Sequence, residues 1–282
     1  MTDLSGRICL VTGATRGIGR ATAEALAKMG AQVLLHGRDS ASVGAVVREM
    51  LRFGQVAGVV GDLSSLAAVR KLAKDIAAQH PHIDVLVNNA GGGARRREIT
   101  ADGFERTFAV NHLAPFLLTN LLLERLKASS AGRVVTVSSM AHRSGKLDLD
   151  DLNWERRKYS TLGAYSASKL ANVLFTTELA RRLGGSRVTA NCLHPGVVAT
   201  NIFNAMGGVG GRVFTVLFRP FLLSPAKGAA TSIYLASSPE VATVTGKFFD
   251  KCREVTAGSA AQDAAVARRL WEISERLTGL AA

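Results

Sequence analysis

Residues 10–26 read LVTGATRGIGRATAEAL, and this stretch decides the fold. An apolar run ends at Thr12, a helical pattern follows, and Gly13, Gly17 and Gly19 stand at the junction. Glycine costs conformational entropy in a strand or a helix, so its repeated use at one handover needs a reason. A strand feeding a helix through a tight turn supplies one. Gly13 turns the chain, Gly17 leaves room for a phosphate near the backbone, and Gly19 lets the helix pack closely. The helix N-terminus then offers unpaired N–H groups and a positive dipole end to a pyrophosphate. The spacing is G-x-x-x-G-x-G rather than the G-x-G-x-x-G of the general dinucleotide pattern.

Outward from that stretch, apolar runs alternate with helical segments. RICLVT (7–12), AQVLLH (31–36), QVAGVV (55–60), IDVLVN (83–88), GRVVTVSS (132–139) and SRVTANCL (186–193) read as buried strands, with TGKFFD (245–250) a seventh. SLAAVRKLAKDIAAQ (65–79) and SKLANVLFTTELARRL (168–183) carry helical apolar spacing. Near-continuous apolar strands alternating with helices predict an α/β, doubly wound Rossmann-type domain: a parallel sheet of about seven strands, helices on both faces. No linker or repeat divides residues 1–282. Residues 1–130 are expected mainly to bind dinucleotide, and 131–282 to carry the catalytic residues, a substrate loop and a C-terminal helix.

The 282-residue chain is 47% hydrophobic, which excludes a disordered protein. Its formal charge of +13 comes from dispersed basic residues apart from Arg95, Arg96 and Arg97, with no nucleic-acid motif beside them. We therefore expect an anionic cofactor and no nucleic-acid partner. Cys9, Cys192 and Cys252 form neither metal-ligand spacing nor a disulfide framework, and read as small buried thiols. MTDLSGRICLVTG has no long apolar leader, so the expectation is a cytoplasmic protein without a stable membrane anchor.

The end of the second strand bears on which dinucleotide binds. NAD sites usually place an acid there to bond the ribose 2′-OH. Here stand His36, Gly37 and Arg38, with no acid before Asp39. A guanidinium at Arg38 suits a 2′-phosphate, with Arg16 as a second jaw, which favours NADP(H).

AYSASKLAN (164–172) places Tyr165 and Lys169 four apart at the head of a helix, on one face. An ammonium beside a phenol stabilises the phenolate and brings proton exchange with a carbonyl or alcohol nearer neutral pH. Ser139 ends the fifth strand at the ligand edge of the sheet, where its hydroxyl reaches a reacting oxygen. Asn111, in FAVNHLAPF, lies in a helical segment and is a candidate to hold a water relaying protons to Lys169.

TGATRGIG (12–19), GDL (61–63), NNAG (88–91), Asn111, SS (138–139), YSASK (165–169) and HPGVVAT (194–200) occur in the order found in short-chain dehydrogenases/reductases, and the chain resembles that family over nearly its whole length. Within it, TADGFERTFAVNHLAPFLLTNLLL (100–123), VTVSSMAHRSG (135–145), YSASKLANVLFTTELARRL (165–183) and ARRLWEIS (267–274) are most similar to the retinol-dehydrogenase-like branch.

The resemblance implies Tyr165 as acid/base, Lys169 lowering its pKa, Ser139 polarising the substrate carbonyl, and Asn111 completing a relay. Ser138 is the alternative to Ser139. Gly13, Thr15, Arg16, Gly17, Ile18 and Gly19 would bind the cofactor, and Asp62 and Leu63 would contact its adenine. Asn89, Ala90 and Gly91 would follow the cofactor's path, with Asn89 a structural candidate. Tyr165 and Lys169 would meet the nicotinamide ribose, Val198 and Thr200 its carboxamide. Hydride passes directly between nicotinamide and substrate carbon, so no metal is required.

His194 stands where many members have Asn before the Pro-Gly pair, as in the retinol-dehydrogenase-like branch. His142 and His194 flank the expected site and read as structural. Trp154 and Tyr159, in the polar connection 140–160, read equally as substrate contacts or loop anchors. The apolar stretch VFTVLFRPFLL (213–223) reads as a lid over a lipophilic substrate, a partner interface or a membrane contact. The expectation is an NADP(H)-dependent oxidoreductase acting on a lipophilic aldehyde, ketone or alcohol. The alternatives are a non-catalytic NADP(H)-binding regulator or scaffold, and a carbon–carbon double-bond reductase. Segments near 102–125 and 160–183 resemble those that pair in family homodimers and homotetramers.

Overall fold

A computed structural model describes residues 2–196 and 223–280 of the chain. Strands β1 (Ile8–Val11), β2 (Gln32–Gly37), β3 (Val56–Val60), β4 (Val85–Asn88), β5 (Arg133–Val137), β6 (Thr189–His194) and β7 (Phe248–Asp250) run parallel in the order β3-β2-β1-β4-β5-β6-β7. The strand order reverses direction between β1 and β4, which opens a crevice at their C-terminal ends where such sheets bind ligands.

Alternation along each strand divides the core. Leu10, Leu34, Leu86 and Val134 face one layer, and Val11, Leu35, Val87 and Val135 the other. The first face is covered by α3 (Leu66–Gln79), α5 (Ala114–Leu121), α6 (Leu123–Lys127), α7 (Thr161–Arg182) and α9 (Ala264–Thr278). The second takes α1 (Gly17–Lys28), α2 (Ser40–Met50) and α8 (Pro225–Ser237). At the centre of the first layer Phe116 meets Trp271 at 4.8 Å and Phe175 at 5.7 Å between ring centroids. Fully burying such a phenyl group is worth roughly 1.5–3 kcal/mol.

Helix starts follow local chemistry. Ser65 accepts from the Ala68 N–H at 3.3 Å and begins α3. Ser160 accepts from the Gly163 N–H at 3.1 Å and begins α7, four residues before the Tyr165 expected at its head. Polar Ser160, Thr161 and Ser166 mask that first turn in an apolar pattern.

Two expectations are corrected, and the sheet gains a strand. β3 is an edge strand with Ala57, Gly58 and Val60 exposed, because its run of small apolar residues has a neighbour on one side only. The seven expected strands are all parallel, and an eighth, β8 (Arg253–Glu254), folds back antiparallel on β7 through Lys251 and Cys252, both at positive φ. That turn lacks the glycine that would have marked it. It also leaves Cys252 partly exposed, whereas Cys9 and Cys192 are buried as expected.

Candidate active site

The glycine loop meets the conditions that its sequence set. Gly13 and Gly17 have φ of +64° and +60°. A Cβ on Gly13 would lie 2.9 Å from the Ala90 Cα, while one on Gly17 meets nothing within 4 Å among the described residues. A Cβ on Gly19 would strike the Asn89 side-chain nitrogen and the Gly13 carbonyl. Gly17 therefore faces open space above the N-terminus of α1, and Gly19 sits at a close approach. Asn89 ties the loop to β4: its Nδ2 donates to the Thr12 carbonyl at 2.7 Å, and its N–H to Thr12 Oγ1 at 2.9 Å. The Ala90 N–H donates to the same hydroxyl at 3.0 Å.

His36 completes this scaffold through contacts that no local sequence pattern marks. The Gly13 N–H donates to its Nδ1 at 3.2 Å, so the Nε2–H is left to donate to the Gly61 carbonyl at 3.0 Å. Burial lowers the imidazole's pKa and favours this neutral form. One ring thus links the glycine loop, β2 and the chain after β3. Where β2 ends, a Cβ on Gly37 would meet Thr15 Cγ2 at 2.6 Å, so the strand end abuts the loop. Exposed Arg16 and Arg38 extend from these two abutting segments. Asp62 turns the chain after β3 by accepting from the Ser64 N–H at 2.9 Å, and Leu63 is buried in the core. Ile18 is buried against Ala229 of α8.

Across the crevice, Lys169 is almost wholly buried, and its Nζ donates to the Val137 carbonyl at 2.8 Å. Burial carries its pKa down to about 8. The ammonium lies 5.6 Å from the centroid of the Tyr165 ring. Burial pushes the Tyr165 phenol up to about 12, with a hydrogen bond to Ser139 pulling the other way. The net direction for Tyr165 is thus opposite to the lowering expected from Lys169: desolvation of the phenolate dominates and outweighs the bond to Ser139.

Ser138 and Ser139 separate by role. The Ser138 hydroxyl is buried and donates to the Lys169 carbonyl at 2.8 Å, so it fastens β5 to α7. Ser139 is half-buried at the crevice. Its Oγ accepts from the Ala141 N–H at 3.2 Å, which leaves the hydroxyl proton free for another acceptor.

Asn111 sits in a π-helical turn, Ala109–Leu113, wedged between α4 (Arg106–Phe108) and α5. Such wide turns recur at functional positions. Asn111 donates from Nδ2 to the Gly92 carbonyl and to Ser168 Oγ, both at 2.9 Å, and accepts from the Gly92 N–H at 2.9 Å. A Cβ on Gly91 would lie 3.0 Å from Asn111 Oδ1 and 3.4 Å from Lys169 Nζ. The chain leaving β4 thus meets Asn111 and Lys169 together. The entry to the π turn is set by Glu105, which is fully buried. It accepts from the N–H groups of Thr107 and Phe108 at 2.9 and 2.8 Å and from the Tyr159 hydroxyl at 3.0 Å. An acid ahead of a helical run is the one signal that could have found it.

Tyr159 and Trp154 therefore act as anchors. Their rings meet at 5.5 Å, and the Arg157 guanidinium lies 4.0 Å over Trp154, holding that residue at a φ of +57°. Arg97 donates to the Asn153 carbonyl at 2.7 Å and pairs with Glu155 at 3.5 Å, so the basic loop is docked on the 140–160 connection. His142 and His194 both make hydrogen bonds to the backbone at Ser139 and Met140. Val198, Thr200 and the stretch 213–223, apart from Leu223, lie outside the described residues. Among the described residues, no helix is long and apolar enough to cross a membrane.

Comparison with known proteins agrees with this geometry. Residues 7–207 match the family model for short chain dehydrogenases. Human retinol dehydrogenase 14 is 44% identical, across 98% of this chain and 88% of its own length. A crystal structure of a protein from Mycobacterium paratuberculosis superposes with a TM-score of 0.83 at 39% identity, covering 99% of this chain and 96% of that one. RhlG of Pseudomonas aeruginosa, solved as its NADP active-site complex, gives 0.71 at 28% identity over 92% of this chain and 98% of its own. A crevice at the strand-order reversal, a glycine loop on one side and a buried lysine beside a tyrosine on the other thus have a common explanation: the chain is an oxidoreductase of the short-chain dehydrogenase family, in its retinol-dehydrogenase-like branch.

Proposed function

We propose that the protein is an NADP(H)-dependent carbonyl reductase or alcohol dehydrogenase acting on lipophilic aldehydes, ketones or alcohols. The observation that carries the reading is the convergence of Ser139, Tyr165 and buried Lys169 at the crevice facing the glycine loop. NADPH, when bound, supplies the hydride to the carbonyl carbon. Tyr165 delivers the proton to the carbonyl oxygen, and the Ser139 hydroxyl donates a hydrogen bond to that oxygen as its charge develops. Lys169 holds positive charge behind the phenol, and Asn111 fixes the turn beside it. Oxidation runs the same steps in reverse, with Tyr165 as base.

NADP(H) is favoured over NAD(H) by Arg16 and Arg38 on abutting segments and by the lack of an acid at the end of β2. An apolar substrate is favoured by Met140 and Leu162, exposed apolar residues that follow Ser139 and precede Tyr165 in the chain. The retinol dehydrogenase relatives point the same way by name. The test is NADPH oxidation against aldehydes from short to long-chain and retinoid, with Tyr165→Phe as control. Turnover rising with apolar length and lost in the variant is the expected result. Tight NADPH binding without turnover on any carbonyl would overturn it in favour of a cofactor-binding regulator, and reduction at a carbon–carbon double bond would show in the products.

A further inference from the structure

The peptide that joins Ser139 to Met140 is held at both ends by imidazoles. Its carbonyl oxygen lies 2.6 Å from His142 Nδ1 and also accepts from the His142 N–H at 3.1 Å. Its N–H donates to His194 Nδ1 at 3.3 Å. On the far side of the His142 ring, the Gly258 N–H donates to Nε2 at 2.9 Å. Nε2 is therefore the acceptor, Nδ1 carries the proton, and the ring donates to the Ser139 carbonyl. His142 is fully buried, with the Phe248 ring of β7 at 4.6 Å. A Cβ on Gly258 would lie 3.2 Å from the Arg143 Cα, so this approach of backbone to ring depends on glycine. Arg143 adds a bond from Nη2 to the Thr256 carbonyl at 2.6 Å.

We infer that His142 is a positioning residue for Ser139, fixing its backbone, and so the aim of its hydroxyl, against the chain segment 256–258. The peptide plane after Ser139 sets the direction of its Cα–Cβ bond, and a displacement of the order of 1 Å at a reacting contact costs up to about a hundredfold in rate. This inference rests on the role proposed above for Ser139. The segment 256–258, more than a hundred residues away in sequence, thereby becomes part of the support of the active site.

The two ring nitrogens can be separated by substitution. Asn places its amide nitrogen near the Nδ1 position and keeps the bond to Ser139, whereas Gln reaches toward Gly258 and gives it up. The expected result is a comparable loss of melting temperature in His142→Asn and His142→Gln, with kcat falling on the order of tenfold in His142→Gln and much less in His142→Asn. NADPH affinity stays at the wild-type value in both. In a Ser139→Ala background, His142→Gln costs no further kcat, because it acts through the missing hydroxyl. Equal kcat losses that follow the melting temperatures, or an undiminished His142→Gln effect in that background, would overturn the inference. Wild-type kcat in Ser139→Ala alone would instead defeat the role given to Ser139. Nitrogen NMR of the wild type gives an answer that needs no variant. A neutral Nδ1–H ring at pH 7 is expected, and an Nε2–H or doubly protonated ring refutes the clamp.

Discussion

Lys169 Nζ lies 5.6 Å from the centre of the Tyr165 ring while donating to the Val137 carbonyl at 2.8 Å. The ammonium is thus held beneath the phenol by a backbone oxygen, and among the described residues no carboxylate bonds it. Burial lowers its pKa to about 8, against 10.5 when unperturbed. Below pH 8 folding buries a charge and bears the full penalty. Between pH 8 and 10.5 the unfolded chain holds the proton that the folded one has lost, so stability rises with pH. Lys169→Met should therefore be more stable than wild type at pH 7, by a few kcal/mol at most, with the advantage shrinking from pH 8 to 10. Its kcat should fall on the order of a hundredfold or more. Thermal melts across that pH range, beside single-turnover rates, test both halves.

On the proposed mechanism, the same pair sets the pH dependence of carbonyl reduction. With Tyr165 pushed up to about 12, the proton it donates is present throughout neutral pH. The rate should be flat from pH 6 to 7.5 and decline with an apparent pKa near 8 that belongs to the pair rather than to either group. A decline starting near pH 6 would instead implicate a histidine.

The proposed clamp of Arg38 and Arg16 makes the cofactor choice open to reversal by substitution. Arg38→Asp places a carboxylate where a 2′-phosphate would sit and where a ribose hydroxyl can be bonded. The NADPH-over-NADH ratio of kcat/KM should fall on the order of a hundredfold, mostly through NADPH. A wild-type enzyme that already prefers NADH would contradict the phosphate clamp.

Gly17 and Gly19 should respond differently to a methyl group. At Gly19 it collides with Asn89 and the Gly13 carbonyl, so Gly19→Ala should cost about 1–3 kcal/mol and weaken NADPH binding at least tenfold. At Gly17 no atom of the described residues lies within 4 Å, and the strain of φ +60° costs only about 1 kcal/mol. A fall in NADPH affinity out of proportion to that strain would mark Gly17 as the place where phosphate touches backbone. Calorimetric titration beside urea unfolding separates the two effects.

Asp84 tests the opposite end of the sheet. Burial alone would raise its pKa. The Ser129 hydroxyl at 2.6 Å, the Ile8 N–H at 2.8 Å and Arg7 at 2.8 Å outweigh that and lower it. Its stabilising contribution is present above the unfolded pKa near 3.8 and is lost as pH falls through the lower folded value. Asp84→Asn should cost about 2–3 kcal/mol in urea unfolding at pH 7, and much less at pH 2.5.

The sheet, its order of helices and the Tyr165–Lys169 face were legible because each rests on local periodicity. What escaped the sequence depends on contacts between distant segments. Val56–Val60 looks as apolar as a central strand, and only the strand order makes it an edge. The apolar rhythm of FAVNHLAPF passes through the π turn without a visible extra residue. His36 and His142 owe their protonation forms to Gly13 and Gly258, 23 and 116 residues away. Trp154 and Tyr159 were ambiguous until buried Glu105 supplied an acceptor.

The two edges of the sheet differ in a way that bears on self-association. At one end, β8 contributes only Arg253 and Glu254, too short and too charged to receive another strand. At the other, β3 presents five residues without a charge, with Val60 nearly half exposed. Strand addition between partly unfolded copies is open to the protein at the β3 edge and closed at β8. Ala57→Lys is thus the substitution that would block this edge without approaching the chemistry, whereas at Gly58 any Cβ would strike Val43 of α2.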